Sequence, residues 1–237
     1  MRRNIKKFGF TLAEVLITIG IIGAIAAMTI PTLKDAYEEH MFEAQAKATY
    51  NHIMQAVALS KFSGDAYYGN SPAAFYNRYI KENLKITKYC GSIYTTEGKK
   101  CWKNNNATSE SEQLTIKNLK GEAILRGVNE VTFTTDNNEA ILIAQVNIDY
   151  RVNLPDKIEN AIVIYYDTNG RDNEPNMLGY DTFILVWNGR ELVPAGKDAT
   201  PKVIAENCKL DSTAYIPGLF CLQYMMDNGW KINRDLF

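Results

Sequence analysis

The 237 residues carry 26 basic and 27 acidic side chains with 46% apolar content, which suits one globular domain or a domain with an appendage. A balance this even, with no Lys/Arg cluster beyond Lys99-Lys100 after the first residues, argues against a nucleic-acid-binding surface. The chain also lacks G-x-S-x-G, H-E-x-x-H, Walker and dinucleotide-binding patterns, so the common hydrolase, zinc-peptidase and nucleotide chemistries have no anchor in it.

The most distinctive stretch is Met1 to Leu33. Its first nine residues hold Arg2, Arg3, Lys6 and Lys7, no acid, and end on Gly9. From Phe10 to Leu33 the chain is apolar, with Glu14 as the single formal charge. As a helix this run is about 36 Å long, enough for a hydrocarbon core of about 30 Å. Basic residues on one flank, and Asp35, Glu38 and Glu39 on the other, predict a cytoplasmic N-terminus and an exported remainder. A carboxylate inside such a segment costs about 2.5–3.5 kcal/mol on insertion scales, so Glu14 calls for a partner. A secretory signal cut near Ala24-Ile25-Ala26, a plain membrane anchor and a twin-arginine signal on Arg2-Arg3 each explain part of this pattern. None accounts for Gly9 and Glu14 together.

Lys7-Phe8-Gly9-Phe10-Thr11-Leu12-Ala13-Glu14 resembles the processing motif of type IV prepilins and type II secretion pseudopilins, with Ala13 in place of the more usual valine or isoleucine. The resemblance covers about 25 residues. It implies removal of a leader, residues 1–9, by a prepilin peptidase that cuts between Gly9 and Phe10 and N-methylates Phe10. It also implies that Glu14 acts in assembly by meeting the freed amine of a neighbouring subunit's Phe10. Loss of the leader leaves 22 basic against 27 acidic side chains.

Pro31 lies inside the helical run and predicts a kink. The helical pattern then continues. Tyr37, Met41, Ala44 and Ala48, and likewise Phe42, Ala46, Tyr50, Ile53 and Val57, fall at intervals of three and four. One kinked helix is therefore expected from about Thr11 to about Phe62 (10–33 in the membrane, 34–62 amphipathic), followed by an exported head, 63–237. His40 and His52 lie twelve residues apart on this stem and read as ordinary helix-surface residues.

Ser63-Gly64-Asp65 stops the helix, and Ser71-Pro72 starts a short one with Ala74, Phe75, Tyr79 and Leu84 as buried positions. Cys90 to Ser111 reads as a polar loop; the Asn106-Ala107-Thr108 triplet within it carries no argument. Strands are predicted at 131–134, 140–148, 161–166 and 182–187, with a turn at Asp136-Asn137-Asn138 and short connections that favour an antiparallel meander. Four cysteines in an exported domain suggest two disulfides. Three connectivities are possible, and the short loops favour Cys90–Cys101 and Cys208–Cys221. The second pair looks like the C-terminal disulfide loop that closes on the sheet in pilin-like proteins.

Between the last two strands, Asp167 to Asp181 crowds side-chain oxygens onto a glycine-broken turn. Asp167, Asn169, Asp172 and Asp181 are candidate calcium ligands, as in a comparable loop of some pseudopilin heads, although Arg171 and the early Gly170 depart from an EF-hand. The alternative is a hairpin loop in which Asp and Asn make their own turns.

The expectation is an α+β, pilin-like chain: a long N-terminal helix packed on an antiparallel sheet. The resemblance implies a structural subunit, not an enzyme, of a type IV pilus or a type II secretion-like pseudopilus, with the larger head favouring a minor subunit. Its implied partners are the prepilin peptidase, other pilin-like subunits, the inner-membrane assembly platform and membrane lipid, and no cofactor is required. It would sit in the inner membrane before joining a filament. The rival expectations are a membrane-anchored or secreted binding module that does not polymerise, and an exported enzyme.

Overall fold

The computed structural model describes residues 9–61, 71–93, 95–102, 116–122, 128–148 and 158–232. The chain divides into two compact units, Met1–Met41 and Phe42–Phe237. The leader residues 1–8 and the sequon at 106–108 lie outside the described residues.

Helix α1, Leu12–Lys61, continues through Pro31 without a break, although proline has no N–H to give the carbonyl of Ala27. Within the described residues of the first unit its large apolar side chains Leu16, Ile17, Ile21, Ile22, Ile25 and Ile30 are exposed. This helix is long and apolar enough to cross a membrane, and none of its apolar window is buried within the molecule. A helix apolar all round and buried nowhere is unlike the core helix of a soluble domain.

The second unit holds an antiparallel sheet of six strands in chain order: β1 Ile86–Gly91, β2 Val128–Thr135, β3 Ala140–Ile148, β4 Ile158–Asp167, β5 Thr182–Trp187 and β6 Leu192–Pro194. Both faces are covered, which is why β5 is buried at every position and reads as a continuous apolar run. Phe133, Ile141, Ile143, Ile164, Tyr166, Phe183 and Leu185 pack with Ala46, Ile53, Ala56 and Val57 of α1. The same layer takes Phe75 and Tyr79 from α2, Pro72–Phe75, and the π-helical turn Tyr76–Ile80 that extends it. Ser71 caps α2 by accepting the N–H of Ala74 at 3.1 Å. On the other face, Leu142, Ala144, Val163, Tyr165, Ile184 and Val186 pack with Trp102, Ile116, Ile204, Leu219 and Phe220. Ile204 belongs to α3, Pro201–Asn207, and α4, Cys221–Asp227, follows it. Disulfides join Cys90 to Cys101 and Cys208 to Cys221.

The four expected strands are present, inside β2 to β5. The polar loop expected from Cys90 needs correction at its start, because Cys90 and Gly91 belong to β1, paired with β2. Ala74 and Leu84, expected to be buried, are half-buried.

Candidate functional site

The chain offers two places to look for function, one in each unit. In the first, Gly9, Phe10 and Thr11 precede the helix and are not helical. Phe10 is 88% exposed, and Gly9 is exposed beside it. Thr11 and Glu14 then form a reciprocal cap. The Thr11 N–H donates to Glu14 Oε2 at 2.8 Å, the Thr11 hydroxyl donates to the same oxygen at 2.9 Å, and the Glu14 N–H donates back to Thr11 Oγ1 at 3.2 Å. Threonine followed three residues later by glutamate is a capping box, which satisfies helix-end N–H groups that otherwise lack partners. The Glu14 carboxylate is therefore drawn to the N-terminal rim of the helix, not left pointing along its side.

In the second unit, the loop between β4 and β5 buries two carboxylates. Asp167 is 2% exposed and Asp181 0%. Asp167 Oδ1 accepts the N–H groups of Asn169 at 3.1 Å and Gly170 at 3.0 Å, the Asx-turn arrangement. Asp181 Oδ1 accepts from the N–H of Met177 at 2.8 Å; its Oδ2 accepts from the N–H of Asn176 at 2.9 Å and from Asn169 Nδ2 at 3.4 Å. Gly170 has φ of +88°, and a Cβ there would meet Asn138 at 2.4 Å.

Burial raises both carboxyls. Asp181 is pushed up to about 6. Asp167 is pushed well above the usual carboxylate range by burial and then by the negative charge of Asp181, and the N–H donors offset only part of this.

Of the four oxygen ligands suggested by sequence, three come together and one does not. Asp172 is 77% exposed at its side chain and accepts Arg171 Nε at 2.8 Å. Thr168 Oγ1 and Asn169 Oδ1 are buried without a hydrogen-bond partner among the described residues. They are acceptors of the kind calcium uses, but both oxygens of Asp181 already face N–H donors, which repel a cation. Among the described residues no group of three or more His, Cys, Asp or Glu converges as a metal site.

Among the three buried glutamates of the described residues, Glu43, Glu130 and Glu139, two have partners that were not legible in the sequence. Glu139, 2% exposed, accepts the hydroxyls of Thr49 and Thr135 and lies 3.0 Å from His52 Nδ1. His52 is thus tied to the sheet rather than being a bare surface residue. Glu43 accepts Lys231 Nζ at 2.7 Å and the N–H of Ile232 at 3.2 Å.

No protein-family model matches the chain, and no curated protein or solved structure gives a significant match.

Proposed function

We propose that this chain is a type IV pilin-like subunit, a structural protein that assembles into a helical filament of a pilus or secretion pseudopilus, most simply as a minor component. In this reading the prepilin peptidase removes residues 1–9 and methylates the amine of Phe10. The subunit waits in the inner membrane with its head exported. The assembly platform then transfers it into the filament, where the N-terminal helices of neighbouring subunits pack together. No cofactor takes part.

One observation carries the reading. A lone carboxylate, Glu14, sits in the first turn of a helix that is otherwise apolar and unburied over its membrane-length stretch, four residues after an exposed, non-helical Gly9–Phe10 junction. Lipid penalises that carboxylate, and a filament core that supplies a neighbour's Phe10 amine relieves the penalty. The layout of the chain, a long N-terminal apolar helix and an antiparallel sheet, supports the same reading.

The test is competition in one cell between wild type and Glu14→Gln. The variant is expected to insert and to be cut after Gly9, yet to be depleted from filaments relative to membrane. Equal entry of both proteins into filaments contradicts the role given to Glu14.

A further inference from the structure

We propose that Asn188 is a site of self-modification: at the tip of the β5–β6 hairpin its side-chain amide is converted to aspartate and isoaspartate, with water as the only co-reactant. The inference does not depend on the filament reading.

The chain has three Asn-Gly steps, Asn169-Gly170, Asn188-Gly189 and Asn228-Gly229. A following glycine leaves the next main-chain nitrogen unshielded, so the sequence alone makes the three alike. The fold does not. Asn188 Oδ1 accepts the N–H of Arg190 at 2.9 Å and the N–H of Glu191 at 2.8 Å. Donors on this oxygen draw electrons from Cγ and stand where the oxyanion of a tetrahedral intermediate forms. Asn188 and Gly189 are exposed, so water and hydroxide reach the amide. Gly189 has φ of +91°, and a Cβ built there meets nothing within 4 Å, which leaves room for a cyclic imide.

Asn169 is the opposite case. Its Oδ1 is buried with no hydrogen-bond partner among the described residues, and its Nδ2 is held by Asp181 Oδ2 at 3.4 Å. The Gly170 N–H that would attack is held by Asp167 Oδ1 at 3.0 Å. Asn228 lies between the two. It is exposed, but its amide donates through Nδ2 to the Tyr224 carbonyl at 2.8 Å and has no activating donors like those on Asn188 among the described residues.

The step balances without a redox partner. Hydroxide takes the Gly189 N–H proton, and the nitrogen attacks Cγ of Asn188. The Cγ–Nδ2 bond breaks, Nδ2 takes a proton from water, and ammonia leaves a cyclic imide. Water then opens the imide. Attack at Cγ restores the ordinary main chain with aspartate, and attack at the Asn188 main-chain carbonyl leaves the chain running through Cγ, as isoaspartate. Either product places a negative charge near Glu191, whose carboxylate meets Lys197 Nζ at 3.2 Å. Isoaspartate also lengthens a connection that the Asn188 N–H closes on the Glu191 carbonyl at 3.1 Å. The hairpin thus carries a one-way mark of the age of the protein.

The experiment incubates the full chain in detergent at mildly alkaline pH, once native and once in guanidinium. Tryptic peptides are mapped by mass spectrometry, with isoaspartate separated from aspartate by chromatography. The denatured chain gives the rate that each local sequence sets by itself. Folding is expected to raise the rate at Asn188 about tenfold, a fraction of what one preorganised oxyanion donor contributes in a water-excluded site, and to lower it at Asn169. Arg190→Pro deletes one donor and is expected to bring Asn188 back toward its denatured rate, with a melting curve to verify folding. If that variant does not fold, the native-to-denatured ratio decides alone. A native rate at Asn188 equal to or below the denatured one overturns the proposal, and so does a native rate that folded Arg190→Pro leaves unchanged.

Discussion

Thr49 donates its hydroxyl to Glu139 Oε1 at 2.8 Å, across ninety positions of sequence and between the second half of α1 and the end of the β2–β3 turn. The same buried carboxylate accepts the Thr135 hydroxyl at 2.6 Å. Removing a buried group that satisfies several donors leaves those donors without a partner, which costs more than the bond itself contributes. Glu139→Leu is therefore expected to destabilise the detergent-solubilised protein by about 3 kcal/mol, and Thr49→Val by about 1.5 kcal/mol. Denaturant unfolding followed by tryptophan fluorescence measures both. The double variant should cost less than the sum of the two, since each change removes the same bond.

The Asp167–Asp181 pair predicts a pH dependence of stability. Both carboxyls bind protons more tightly in the folded head than in the unfolded chain, where the value is about 4. For a raised group the contribution is fully present below the unfolded value and is lost as pH rises through the folded one. For Asp181 that window runs from about 4 to about 6. Asp136 and Glu206, which are lowered by Lys85 and Lys209, push the other way, so the comparison must be internal. The melting temperature of Asp181→Asn is expected to fall less than that of wild type between pH 4.5 and pH 7, as read by thermal scans at matched ionic strength. A steeper fall in the variant would show that the pair is not proton-linked in this direction.

What was legible in the sequence follows the range of the interactions. The strands β2 to β5 announce themselves by β-branched and aromatic runs, because each is buried by its own side chains. Strand β1 hides because it is an edge strand with exposed Thr87, Lys88 and Tyr89, and its pairing is visible only from β2. Strand β6 is three residues ending on Pro194, too short for any periodicity. Glu14 stood out because one charge in an apolar run is a local anomaly, and Thr11-x-x-Glu14 is a local motif that could have been read as a cap. Glu139 and Glu43 could not be read, since their partners Thr49 and Lys231 lie 90 and 188 residues away.

The acid-rich loop is expected to be held by its own N–H donors and not by an ion. Both oxygens of Asp181 accept hydrogen bonds, and Asp172 faces away toward Arg171. A cation would have to displace those donors. The melting temperature is therefore expected to be the same in chelator and in millimolar calcium. A clear rise with calcium, following mass action, would reassign Asp167, Asp181 and the oxygens of Thr168 and Asn169 as ligands.

The central claim is that the chain is made with a leader and joins a filament only after losing it. Mass spectrometry of the N-terminal peptide, taken from the protein in its native membrane, reads this most directly. The account predicts a mature chain that begins with N-methylated Phe10, cut after Gly9. A chain that still begins at Met1, or one that begins at Ala27 after signal-peptide cleavage, would contradict it.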